Sequence, residues 1–423
     1  MLKIIHPVCC GVDVHKKFIV ATIAFSEKNN ITTYKAKKFS TFTSDLLLFK
    51  GWLSANNCDI VCMESTGKYW IPIFNVLEDS CSITLANPKY IKNIPGKKTD
   101  KRDSLWIADL HKHGLVQGSF IPPKNIRELR DLLRYRFKLV NFRSSEKNRF
   151  QNSLTVSNIM LSNVVSDTFG KSAAAIIRFT MNNPGKTDVD YTQFLHGRML
   201  PKADEIKMAM QGSISKEQNA KMSVCLKHYD YIDKCIAQLD TAISLISSEF
   251  KSQIQLLSTV PGFTEKSATA IISEIGVDMS AFKDAKHLCS WAGLTPQNNE
   301  SAGKKKSVRI SRAGVYIKPL LVQCANAAIK DKSCPYFYHR YQAIKKRRGH
   351  KRAIIAIARM LLTCIYNMLL KNEAFDNSMY DNYLASNDIS KSTHPTKSID
   401  IAILYLQSQG FAVTKLMQVN GSP

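Results

Sequence analysis

The most constraining feature of this 423-residue chain is the order of segments in its first hundred residues. Val8 to Val14 is a short apolar run ending in an aspartate, and Phe18 to Phe25 is a second run, rich in Val, Ile, Thr and Phe. Ile31 to Phe39 alternates, after the turn-forming pair Asn29-Asn30, and predicts a third strand. Thr43 to Asn56 has helical spacing through Leu46, Leu47, Phe49, Trp52 and Leu53. Ile60 to Met63 reads as a buried strand ending at Glu64, Tyr69 to Leu77 as a helix, Ile83 to Ala86 as a strand, and Asp103 to His113 as part of a further helix. The predicted order is β-β-β-α-β-α-β-α.

Three antiparallel strands followed by alternating α and β is the layout of a ribonuclease-H-like α/β domain. In that layout Asp13 follows the first strand and Glu64 follows the fourth, which lies beside the first. Asp100 and Asp103 are three apart and share a face if the helix starts there. Four converging carboxylates repel one another unless a hard, oxygen-seeking cation such as Mg²⁺ joins them. Two such ions can polarise a phosphodiester and stabilise the entering and leaving oxygens. Singly, each acid has an ordinary reading as a solvated loop residue or a helix cap, and Asp100 can cap the helix that holds Asp103. The chemical reading rests on all four matching one topology.

The middle of the chain reads as long helices. Lys124 to Arg149 carries nine Lys/Arg against three Asp/Glu, with Ile126, Leu129, Leu133 and Val140 at helical spacing. Met222, Cys225, Tyr229, Ile232, Ile236, Leu239, Ile243 and Ile246 step alternately by three and four, which is a heptad seam. An intramolecular helical hairpin and a dimerising coiled coil satisfy that seam equally well. Ser153 to Lys207 is polar and mixed, and no function is read from it.

The formal net charge of +25 makes a polyanion the expected partner, nucleic acid before an anionic membrane. Leu256 to Gly276 predicts two helices around the turn Pro261-Gly262-Phe263, a helix-hairpin-helix that can aim backbone N–H groups at a phosphate; a plain αα-corner fits the same residues. Pro296 to Arg352 holds the densest basic clusters: Lys304, Lys305 and Lys306, then Arg309 and Arg312, then Lys345, Lys346, Arg347 and Arg348. They bracket Tyr336, Phe337, Tyr338 and Tyr341, which favours a groove along a phosphate backbone over a merely solvated face. Ser301 sits on a small-residue turn beside the three lysines. A serine hydroxyl needs a partner to take its proton, and no histidine lies nearby in sequence.

These motifs together resemble the DEDD-type insertion-sequence transposases, the group described as bridge-RNA-guided recombinases. The matching stretches are GVDVHKK (11–17), MESTGKYW (63–70), NPKYIKNIPGKKTDKRDSLWIADL (87–110), VPGFTEKSATAIISEIG (260–276), WAGLTPQNNESAGKKKSVRISRAG (291–314) and GHKRAIIAIARMLL (349–362). The resemblance implies a RuvC-like domain with its metal site on Asp13, Glu64, Asp100 and Asp103, and a coiled-coil connector. It also implies a mainly helical C-terminal transposase domain in which Ser301 forms a phosphoserine link to DNA. It further implies Mg²⁺, donor and target DNA, a structured guide RNA, a dimer through the coiled coil, and a tetramer in which the catalytic domains meet across protomers. One departure is Gly314-Val315, where many relatives have Gly-Asn and then an arginine; Lys318 stands near the arginine's place and is given no catalytic role.

The expected domains are therefore 1–120, RuvC-like; 121–250, helical connector; 251–375, transposase domain with the helix-hairpin-helix and Ser301; and 376–423, a tail of unknown role. Two alternatives remain beside a serine-using recombinase. One is a RuvC-like Holliday-junction nuclease using metal-activated water, and the other is a non-catalytic basic nucleic-acid-binding protein. An actin-like ATPase, which also opens on a Gly-x-Asp strand, is disfavoured because no glycine-rich phosphate loop follows. Eleven scattered cysteines without a CxxC pattern suit buried thiols in a reducing compartment. The N-terminus is too short in apolar residues for a signal peptide, and Ala353 to Leu370 has a polar stripe at Arg359, Thr363 and Asn367 that predicts a helix buried in protein. A cytoplasmic, nucleoid-associated prokaryotic protein is the expectation.

Overall fold

The structure, a computed structural model, describes residues 2–27, 31–87, 100–186, 188–296, 299–301, 304–307 and 309–378, with the backbone alone at 100–101, 299–301 and 304–307. The chain divides into two compact units at Pro122/Pro123.

The first unit holds strands β1 (Val8–Val14), β2 (Phe18–Ser26), β3 (Thr32–Ser40), β4 (Ile60–Glu64) and β5 (Ser82–Ala86) and helices α1 (Thr43–Ala55), α2 (Trp70–Leu77) and α3 (Asp100–Lys112). The sheet order is β3-β2-β1-β4-β5. β1, β2 and β3 are antiparallel neighbours, whereas β4 runs parallel to β1 and β5 parallel to β4. Strand residues alternate between faces. Cys10, Val12 and Val14 share one core with Leu46, Phe49 and Leu53 of α1 and Ile73 and Leu77 of α2. Cys9 and, across the sheet, Cys62 and Ala86 meet Ala108 and Ile107 of α3 on the other face. Both faces are covered, so β1 reads as a continuous apolar run and not as an alternating one.

Gly11 sets how closely α3 lies on the sheet. A Cβ at this position would stand 2.3 Å from the Ser104 carbonyl oxygen and 2.3 Å from the Ala108 nitrogen, so only glycine fits beneath the helix. The Thr22 hydroxyl, opposite Gly11 on β2, meets the Ser104 hydroxyl at 2.7 Å. At the far end of α3, the N–H groups of Ile5 and His6 donate to the Lys112 carbonyl at 2.8 and 3.0 Å. The helix thus runs against β1, its first turn toward Asp13.

The second unit begins with α4 (Lys124–Val156), which pairs with α7 (Lys216–Ser247). The heptad seam of α7 faces α4 of the same chain: Ile232 and Ile236 are buried against Leu139, with Leu239 and Val140 alongside. Arg136 meets Asp240, Arg143 meets Asp233, and His228 meets Glu146, a pairing that descends along one helix as it ascends the other. The hairpin alternative is therefore the one in the fold, and the seam expected for a dimer is filled from within. The stretch that the sequence left unassigned forms a cap on the hairpin's far end. There Ile176 and Ile177 of α5 (Lys171–Asn182) and Ile206 of α6 (Ala203–Ala209) bury Phe150 and Leu154 of α4 and Met222 and Cys225 of α7.

The remaining elements are α8 (Lys251–Ser258), α9 (Glu265–Ile275), α10 (Ala285–Trp291), β6 (Asn299–Ser301), β7 (Lys304–Ser307), α11 (Ile317–Ala328), α12 (Pro335–Arg348) and α13 (His350–Lys371). Among the described residues α13 is the one helix long and apolar enough to cross a membrane by length and composition. Ala353, Ile354, Ile357, Ala358, Leu361, Leu362 and Ile365 on α13 are buried in protein. α9 is tied to α4 at its C-terminal end. Arg130 donates to the Ser273 and Glu274 carbonyls at 2.9 and 2.6 Å, and Arg134 forms a two-point contact with the Glu274 carboxylate at 2.7 Å for each bond.

Candidate acidic site and nucleic-acid interface

Register brings two of the four acids to one level. Val12 on β1 lies beside Met63 on the parallel strand β4, so the next residues, Asp13 and Glu64, stand side by side at the two strand ends. Asp13 shares a face with Cys9 and Gly11, and Glu64 shares a face with Cys62, which is the face that α3 covers. Cys9 lies against Ala108, and Gly11 lies between Ala108 and Ser104. Two strand residues advance about 6.6 Å, or four to five helix residues at about 1.5 Å each. That step carries Asp13 to the level of the first turn of α3.

Ser104, Ile107, Ala108 and His111 form the buried stripe of α3. Positions 100 and 103 continue that stripe by one turn, four residues before 104 and 107. Asp103 is half-buried, and the side chain of Asp100 lies outside the described residues. Asp13 is buried, and its Oδ2 stands 3.0 Å from His15 Nε2; Glu64 is half-buried and accepts from the Thr66 hydroxyl at 3.3 Å. Among the described residues no three His, Cys, Asp or Glu side chains stand close enough together to hold a metal ion. The donors present are nonetheless hard carboxylate oxygens. The Cys62 thiol on the same face is pushed up to about 12 by burial, which keeps it protonated beside those oxygens. In donor type, Asp13, Glu64 and Asp103 fit a divalent cation.

The other expected site residues belong to the second unit. Ser301 ends β6 and pairs with Lys304 of β7, so it stands at the closed end of a short antiparallel hairpin that includes Lys305 and Lys306. The side chains of Ser301, Lys304, Lys305 and Lys306 lie outside the described residues, as does 379–423, nearly all of the tail from 376. Arg309 and Arg312 are exposed, and so are Lys345, Lys346, Arg347 and Arg348 at the end of α12. The following α13 starts at Gly349 without a side-chain cap and carries Lys351 and Arg352 in its first turn. Positive charge at a helix N-terminus is unfavourable, and a phosphate relieves it.

Gly262 sits in a close packing contact. It adopts φ +80°, and a Cβ there would stand 2.5 Å from the Ala328 nitrogen and 2.6 Å from the Cys324 carbonyl oxygen. The Pro-Gly turn is packed onto α11, and that packing by itself requires a glycine there. The next helix caps itself, with Thr264 and Ser267 exchanging side-chain bonds with each other's backbone N–H.

Comparison with known proteins matches two family models in chain order. The DEDD transposase model of the IS110 group matches residues 10–159, and the model described as "Transposase IS116/IS110/IS902 family" matches residues 254–342. Together they cover more than half of the chain. This chain belongs to the IS110-family transposases. The first match spans Asp13, Glu64, Asp100 and Asp103, and the second spans Ser301 and the basic hairpin.

Among curated relatives of this IS110-family chain is the pilin gene-inverting protein of Moraxella bovis, 32% identical over 34% of this chain and 47% of the relative. The transposase for insertion sequence element IS1111A of Coxiella burnetii is 26% identical over 32% of this chain and 40% of the relative. An insertion element IS900 protein of 42 kDa from Mycobacterium paratuberculosis is 27% identical over 48% and 54%. The chain spans about half the length of the curated relatives it matches.

Proposed function

We propose that this chain is a DNA transposase that cuts and rejoins strands through a ribonuclease-H/RuvC-like acidic site and a serine nucleophile. The observation that carries the reading is the level placement of Asp13 and Glu64 on adjacent parallel strand ends, both on the side that meets the acidic turn of α3. Asp13, Glu64, Asp100 and Asp103 would hold Mg²⁺. Bound there, the cation supplies electrostatic stabilisation of the oxygens around the scissile phosphorus. The Ser301 oxygen forms a new ester bond to phosphorus, one DNA oxygen–phosphorus bond breaks, and the departing strand end takes up the proton.

The basic segments Lys304–Lys306, Arg309, Arg312 and Lys345–Arg348 bind the phosphate backbone without reading bases. Sequence choice falls to a structured guide RNA pairing with donor and target DNA. The protein acts as a tetramer in which one protomer's serine approaches another's acids. Pilin gene inversion, for which one relative is named, is a recombination of the same kind.

The test is recombination of a donor and target pair by the whole chain with its co-purified RNA. Asp13→Asn and Ser301→Ala should each abolish joining, and the wild type alone should trap a protein–DNA adduct stable to denaturant. Full joining by either variant refutes the reading. Cleavage without an adduct by Ser301→Ala would point to a nuclease using water. Sequencing the co-purified RNA tests the guide: one defined structured species is expected, and random RNA refutes it.

A further inference from the structure

The turn after β1 carries a side chain that the acidic set leaves out. His15 Nε2 stands 3.0 Å from Asp13 Oδ2. A carboxylate oxygen only accepts, so Nε2 carries the proton and donates it. The imidazole is itself held in place. The His15 backbone N–H donates to the Phe18 carbonyl at 3.0 Å and closes the two-residue turn Lys16-Lys17. Its ring lies 4.6 Å from the ring of Phe18, over which the Lys38 ammonium sits at 3.6 Å. Thr41 secures the turn from beyond β3, its N–H donating to the Lys17 carbonyl at 3.2 Å and its hydroxyl to the Lys16 carbonyl at 2.9 Å.

A histidine–aspartate contact between two exposed, flexible side chains is worth little. Here the acceptor side chain is only 11% exposed, and the donor, 37% exposed, is fixed by a closed turn and a ring contact. We infer that His15 is a positioning residue for the cation site, holding the Asp13 carboxylate in the orientation from which it meets a hard divalent ion. The inference rests on reading Asp13, Glu64, Asp100 and Asp103 as the ligand set. Groups that orient a metal ligand through a hydrogen bond raise affinity, and losing one typically costs ~10–100-fold. A histidine that merely closes the turn would change stability and leave cation affinity alone.

Mn²⁺ binding to the full chain, followed by the electron paramagnetic resonance signal of the free ion, separates these roles. The proteins are wild type, Asp13→Asn, His15→Ala and His15→Gln, each with its unfolding temperature measured in metal-free buffer. Glutamine is the conservative variant, because its side-chain amide nitrogen reaches the place of Nε2 and donates. His15→Ala should weaken binding ~10–100-fold, and His15→Gln should restore most of it while metal-free unfolding stays at the wild-type temperature. Wild-type affinity in His15→Ala overturns the inference and leaves the acidic site standing. Equal weakening in His15→Ala and His15→Gln overturns it as well, because a retained donor then does nothing. If wild type binds no Mn²⁺ and Asp13→Asn changes nothing, the ligand set and the inference fall together.

Discussion

Acid should loosen the first unit through one side chain, His111. It is 4% exposed on the sheet-facing stripe of α3, and among the described residues neither ring nitrogen has a hydrogen-bond partner. Its ring stacks on His6 at 4.8 Å and 29°. Burial, and then the neighbouring His6, pull its pKa from 6.5 down to about 4. The folded state therefore favours the neutral ring, and the unfolded chain binds the extra proton first. The contribution is intact above pH 6.5 and is lost as pH falls through about 4.

The difference between the two pKa values, at about 1.4 kcal/mol per unit, amounts to about 3 kcal/mol. His111→Phe keeps an aromatic ring beside His6 and removes both nitrogens. Denaturant unfolding of wild type and variant, measured from pH 7.5 to 4, isolates the residue, because every other titration cancels in the difference. The variant should be at least as stable at pH 7.5, since burying an unpaired polar group costs ~1–3 kcal/mol. The wild type should then lose about 3 kcal/mol more than the variant on acidification. Parallel pH curves would refute the account.

Gly11→Ala should destabilise the chain at the upper end of ~1–3 kcal/mol in denaturant unfolding, because its methyl meets backbone atoms of α3 and not movable side-chain ends. Glu274→Ala leaves the Arg134 guanidinium without its two-point partner at the junction of α4 and α9, while Arg130 keeps its carbonyl acceptors, and should cost about 3 kcal/mol, read the same way. Binding of duplex DNA should fall ~10³–10⁵-fold between 50 and 200 mM salt if 6–10 phosphates are engaged. Replacing Lys345, Lys346, Arg347 and Arg348 with alanine should flatten that salt slope in a fluorescence titration, and an unchanged slope would remove them from the interface.

The strands of the first unit were legible because each is a short apolar run bounded by turn residues. Val8–Val14 matches its expected bounds, and β2 to β5 shift by only a residue at one or both ends. The placement of Asp13 beside Glu64 followed from the same pattern. The role of Gly11 did not, since a glycine in a strand says nothing of which helix crosses it. His15 was likewise in view within GVDVHKK, but its contact depends on the turn that Phe18 and Thr41 close. Gly262 shows the reverse: its turn was visible, yet Pro-Gly has one signature whether it faces a phosphate or packs on α11. The heptad seam could not name its partner, because a seam fits a helix of its own chain or of another equally well. The cap between the long helices escaped because its core is assembled from short pieces, none periodic enough to stand out.

The hairpin of α4 and α7 has a metrical consequence. Helices of 33 and 32 residues rise about 50 Å at 1.5 Å per residue. That is the length of about fifteen base pairs of duplex at 3.4 Å each. The Arg130–Glu274 clasp sits at one end of this rod and the small helical cap at the other, so the hairpin holds those two ends of the second unit about 50 Å apart. Excising one heptad from each helix would bring those ends about 10 Å closer.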